Sequence, residues 1–149
     1  MFWYNILSLV LSALAIIISI IVVVYTKRNH RLECLKVVLD IETQMNSRKL
    51  EFDKTSKDIQ LLSISNSDNN ITDEEINVLS YYFQTTKENY FNSLDRLCYC
   101  IAKKYLADKD WRSEYRNMLR DTIEVFPEDF NEASPYRNIK KINELWQSN

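Results

Sequence analysis

Leu, Ile and Val run almost unbroken from Ile6 to Val24, and no charged side chain occurs before Lys27. A helix needs roughly 20 apolar residues to cross a hydrocarbon core of about 30 Å. The spacing therefore predicts a single transmembrane helix over residues 1–26. Phe2, Trp3 and Tyr4 at one end and Tyr25 at the other suit the headgroup level, where aromatic rings sit with one face apolar and one edge wet. A cleaved signal peptide would instead show a cationic start, a shorter apolar core and a small-x-small cleavage site. Met1 to Asn5 carries no Lys or Arg, and Tyr-Thr-Lys-Arg follows Val24.

The pattern changes after the span. Cys34, Val38, Ile41, Met45, Arg48, Phe52, Thr55, Ile59 and Leu62 recur at steps of four and three, with charged residues on the flanks. This is a heptad seam, interrupted at Arg48 and Thr55. It predicts a juxtamembrane helix over 27–62, continuous with the span. The helix either pairs with a second copy or packs on the domain C-terminal to it. The two polar seam positions favour packing within the chain. Residues 63–72 are rich in Ser, Asn and Asp and read as a loop. Thr72-Asp-Glu-Glu75 then forms a capping box at a helix start.

From residue 73 onward the periodicity is helical throughout. Ile76, Leu79, Phe83, Tyr90, Leu94, Leu97, Ile101 and Tyr105 predict the buried stripe of a helix reaching Leu106. Trp111, Tyr115, Met118, Thr122 and Phe126 mark the inner face of the next. Residues 126–133 read as a loop. Ser134-Pro135 reads as an N-cap with proline at the first helical position. Tyr136, Ile139, Ile142, Leu145 and Trp146 line the last helix. No segment alternates with period two, so the expected fold is all-α. It comprises one N-terminal transmembrane helix continuing into a juxtamembrane helix, then a small cytoplasmic helical bundle over 73–149.

Composition narrows the chemistry. The chain has no glycine, which excludes phosphate loops, dinucleotide-binding turns and the usual nucleophile elbow. The one histidine, His30, lies beside the span within a basic cluster, so histidine triads and multi-histidine metal sites cannot form within one chain. Cys34, Cys98 and Cys100 form no CxxC pair and read as free thiols, Cys98 and Cys100 on different faces of one helix. No catalytic, cofactor-binding or metal-binding residue is expected, and the chain is not expected to be an enzyme. A hydrolase or transferase built on Asp95 or Glu124 is the remote alternative.

Charge gives an orientation. Lys27, Arg28, Arg31 and Lys36 come after the span, which places the N-terminus outside and the rest in the cytoplasm. These cations suit anionic lipid headgroups. The acidic stretch from Asp68 to Asn149 argues against nucleic acid. Ser8, Ser12, Ala15 and Ser19 fall on one face of the span, where small residues let transmembrane helices approach closely. They are the candidate self-association face, through which the chain would form a homo-oligomer.

The segment Tyr90-Phe-Asn-Ser-Leu-Asp-Arg-Leu-Cys98 resembles the motif of a bacterial domain family of unknown function, with Asn92, Asp95 and Arg96 at the matching positions. Trp111, Tyr115-Arg116 and the closing Tyr136 to Trp146 segment look similar as well. The resemblance implies a bacterial inner-membrane protein with one N-terminal span and a helical cytoplasmic domain. It carries no catalytic assignment. Small membrane-anchored helical proteins also serve as accessory or effector parts in phage defence, which supplies a context by analogy.

Asn92 and Asp95 lie three apart and neighbour each other on one helix face. Asp95 is expected to be half-buried and paired with Arg116 or Arg120 of the next helix, fixing how the two helices cross. Tyr81, Tyr82 and Tyr99 cannot all face inward with the main stripe and suit a protein interface. The expected role is therefore a membrane-anchored interaction module that assembles or recruits a cytoplasmic protein partner. An oligomerising membrane-disrupting effector is the second reading, weakened because an apolar helix lines a pore poorly.

Overall fold

The computed structural model describes residues 2–65, 72–105 and 108–148. It is all-helical, with no strand among the described residues. Helix α1 spans Phe2–Ser65, α2 Asp73–Ala102, α3 Asp108–Val125 and α4 Arg137–Gln147, with a 3-10 turn at Pro127–Phe130 before α4. Most of the predicted 63–72 loop lies outside the described residues. The chain divides into two compact units, Met1–Val37 and Val38–Asn149.

The first unit is helical throughout its described length. Every described apolar side chain up to Leu32 is exposed. It holds the one helical stretch among the described residues that is long and apolar enough to cross a membrane, and none of that stretch is buried. The Ser12 hydroxyl donates to the Ser8 carbonyl at 2.9 Å and the Ser19 hydroxyl to the Ala15 carbonyl at 2.8 Å. These bonds satisfy the Ser12 and Ser19 hydroxyls within the helix itself.

The second unit is a helical bundle around one core. The α1 seam supplies Val38, Met45 and Phe52 to it, so this part of α1 packs on its own chain. Thr55 is also buried, its hydroxyl donating to the Glu51 carbonyl. Phe52 meets Phe83, Tyr90, Phe91 and Phe126 with ring centroids 5.4 to 6.5 Å apart. Phe91 in turn meets Phe130 at 5.2 Å and Tyr136 at 5.4 Å, so one fully buried ring joins α1, α2, the 3-10 turn and the start of α4. Such offset and edge-on pairs add to the area they bury.

Helix α2 is covered on two sides, and this corrects the single predicted stripe. Phe91 and Cys98 are fully buried alongside Leu94 and Leu97, whereas Ile76 and Tyr105 are exposed. For the same reason both Cys98 and Cys100 are buried, and burial pushes both thiols above the ordinary range. On α3, Leu119 is fully buried though the stripe passes it over. On α4, Leu145 is 49% exposed, contrary to expectation.

The capping box at Thr72 forms: the Thr72 N–H donates to Glu75 Oε2 at 3.0 Å, and the Glu75 N–H to Thr72 Oγ1 at 3.3 Å. The far end of α2 is shorter than expected. It stops at Ala102, where the Lys104 N–H donates to the Ile101 carbonyl and the Tyr105 N–H to the Cys100 carbonyl. This is a Schellman closure, which needs a left-handed residue and usually takes glycine. Lys104 occupies that position with φ 57°. Tyr105, one residue beyond, has left the helix and its predicted inward stripe.

Candidate functional site: a polar cleft between α1 and α2

Where α1 and α2 carry apolar residues at their facing positions, the two helices bury them. Around Arg48 both helices become polar together. A cleft of about 530 Å³ opens there, lined by Gln44 and Arg48 from α1 and Asn89, Asn92, Ser93, Asp95 and Arg96 from α2. Pro135 and Tyr136, just ahead of α4, complete its wall. The Arg48 interruption of the seam is thus a cleft residue: its side chain is half exposed and its Nη1 donates to Glu51 Oε2 at 3.2 Å.

Asp95 organises one end of the cleft. Helix α4 starts at Arg137, after a Tyr136 that offers no side-chain cap. Ser134 does not cap it either, since its Oγ accepts the Tyr136 N–H at 3.2 Å. The cap comes from another helix. Asp95 Oδ1 accepts the Asn138 N–H at 2.9 Å and the Ile139 N–H at 3.1 Å, and Oδ2 accepts Asn138 Nδ2 at 2.7 Å. These N–H groups are the second and third of the helix, those a local Ser, Thr or Asp would normally take. The carboxylate also meets the positive end of the helix dipole.

Asp95 is therefore not the arginine partner expected from the sequence. Arg120 pairs on its own helix with Asp121 at 2.8 Å and with Glu124 at 3.9 Å. Arg116 lies with Lys109, Arg112, Ser113 and Asn117 along a separate depression of about 520 Å³ on α3. Other contacts tie the elements of the bundle together. Lys87 on α2 donates to Asp129 Oδ2 at 2.6 Å, both side chains largely buried, and its ammonium lies 5.6 Å from the Phe126 ring centre. Tyr115 on α3 donates its hydroxyl to Glu42 on α1. Burial first, then that carboxylate, raises the Tyr115 phenol, so it remains a donor.

The sequence motif thus brings together Asn92, Asp95 and Arg96, but not Arg116 or Arg120. Sequence reasoning missed Gln44, Asn89 and Tyr136. One signal for the cleft was present in the seam: an arginine at a position whose neighbours are buried. Beside Asp95, whose oxygens hold the start of α4, the cleft is lined by two arginines and by amides that both donate and accept. Arg96 is exposed and has no acid within ion-pair distance among the described residues, and the side-chain amides of Asn89 and Asn92 have no partner there either. Burial, then the Glu88, Asp129 and Asp95 carboxylates, raise the Tyr136 phenol, so it stays neutral. The predicted spare tyrosines are exposed: Tyr81, Tyr99, and Tyr82, whose hydroxyl donates to Glu51.

No known family model, curated protein or solved structure matches the chain.

Proposed function

We propose that this chain is a single-span membrane protein that holds a helical interaction domain at the cytoplasmic face and recruits a protein partner there. One observation carries the reading. A single continuous helix begins as an uncharged, wholly exposed apolar stretch and ends as an amphipathic stretch whose seam is buried in a folded bundle. Exposed apolar area of that extent needs a lipid or protein surrounding. Lys27, Arg28, Arg31 and Lys36 support a cytoplasmic location for the bundle. The cleft and the exposed tyrosines supply surfaces suited to binding.

Reporter fusions test the topology. A reporter active only outside the membrane, fused after Asn149, is expected to stay silent, while a cytoplasmic reporter at the same place is active. The reverse pattern would overturn the orientation, and recovery of the full chain in the soluble fraction would overturn the anchor.

A further inference from the structure

We propose that the cleft between α1 and α2 binds an acidic peptide segment of a partner protein, with Arg48 and Arg96 as its anchors. The inference rests on the recruitment role above and names the chemistry of the partner. Three observations converge on it. First, the heptad seam of α1 carries an arginine at Arg48, flanked along the seam by the buried Met45 and Phe52. A charged group at such a position gives up packing, and such breaks of local pattern are expected where a site is built.

Second, the opposite helix turns polar at the same level. Asn89, Asn92 and Arg96 succeed one another at steps of three and four, which sets them along one face of α2. Arg48 and Arg96 both line one cleft.

Third, the acid within the cleft is already engaged. The Asp95 oxygens are held by the start of α4, and Asp95 forms no ion pair with Arg96. Arg48 has Glu51 as a neighbour through one nitrogen, which leaves most of its five N–H donors available. Guanidinium groups recognise carboxylates in a planar, two-pronged manner, and arginine clusters are a recurrent means of reading acidic motifs. The side-chain amides of Asn89 and Asn92 donate and accept, as a peptide backbone alongside the acid requires. The volume falls in the range of about 300–1,000 Å³ typical of ligand sites.

The test uses the full chain in zwitterionic detergent micelles and a fluorescent oligoglutamate peptide, read by anisotropy. Saturable binding is expected, weakening as salt rises. Arg96→Gln and Arg48→Gln should each weaken it about tenfold, the loss expected for a charge-assisted hydrogen-bonded pair. Arg96→Lys should fall between, because lysine keeps the charge and loses the fork. Arg116→Gln removes the same charge from the separate α3 depression and should leave affinity within about twofold.

Absence of saturable binding, or an equal loss in Arg116→Gln, overturns the proposal. So does inorganic phosphate that binds as tightly as the peptide and displaces it, since the ligand would then be a free oxyanion. Arginine-dependent binding to phosphatidylserine vesicles without peptide binding overturns it as well. Both arginines are exposed, and unchanged thermal unfolding of the variants separates a binding loss from a folding loss. The reporter fusions are blind to these substitutions, so failure of the peptide test and failure of the membrane reading are distinguishable.

Discussion

The two halves of α1 both carry large apolar residues, one almost without interruption and one among charges, and they come to opposite ends. From Ile6 to Val24 the apolar side chains cover every side of the helix, and all are exposed. From Val38 to Phe52 polar and charged residues intervene, and Val38, Met45 and Phe52 form a buried stripe while Leu39 and Leu50 stay exposed. The difference lies in hydrophobicity, since charged residues enter only the second half, and in the spacing of the apolar residues that remain. A helix that is apolar all round has no face to offer water and needs a surrounding of its own kind. A striped helix has one face to bury and one to solvate. Within the striped half the contrast repeats on a smaller scale: Met45 and Phe52 close the core, and Arg48 between them opens a cleft.

The bundle is most vulnerable in its aromatic core. Phe91→Ala removes the ring that joins Phe52, Phe126, Phe130 and Tyr136, and should destabilise the bundle by about 3–5 kcal/mol. Chemical denaturation followed by circular dichroism would read that loss. A cost below about 1 kcal/mol would mean that the seam is not held by this cluster.

The cap that α2 provides for α4 is expected to matter less. Asp95→Ala leaves two backbone N–H groups without their acceptor and should cost about 1–3 kcal/mol, while Asp95→Asn keeps one acceptor oxygen and costs less. Arg96→Ala, on the next residue but exposed to the cleft, should change stability by no more than about 0.5 kcal/mol. Equal costs at the two positions would contradict the division of labour between a structural acid and a binding arginine.

The smallest effect runs in the other direction. Lys104 holds a left-handed conformation at the end of α2. Lys104→Gly relieves the contact between its Cβ and the backbone and should stabilise the bundle by about 1 kcal/mol. A destabilisation of that size would show that the larger unfolded-state freedom of glycine outweighs the relief.

The features legible in the sequence were those a single helix decides for itself. The apolar span, the seam, the capping box at Thr72 and the all-helical class all rest on spacing along one element. The expectations that failed depended on a second element. Asp95 was legible as an acid needing a partner, but its partner is the start of α4, 43 residues away along the chain for Asn138. Because that cap comes from elsewhere, the Ser134-Pro135 signal misplaced the beginning of α4. Phe91 lies beside the predicted stripe of α2, and only contact on two sides of that helix makes it central. The cleft was half visible: Arg48 stood out within the seam, whereas Asn89 and Gln44 look like any solvated residues until the helices are brought together.

On the proposed reading the all-round apolar half of α1 serves the membrane and the striped half serves the bundle. That division is tested most directly by the thermal unfolding, in detergent-free buffer, of a chain lacking residues 1–26. A soluble helical protein with one cooperative transition is the predicted result. A fragment that gains helical structure only when detergent is added, or unfolds without a transition, would show that the bundle depends on the apolar half.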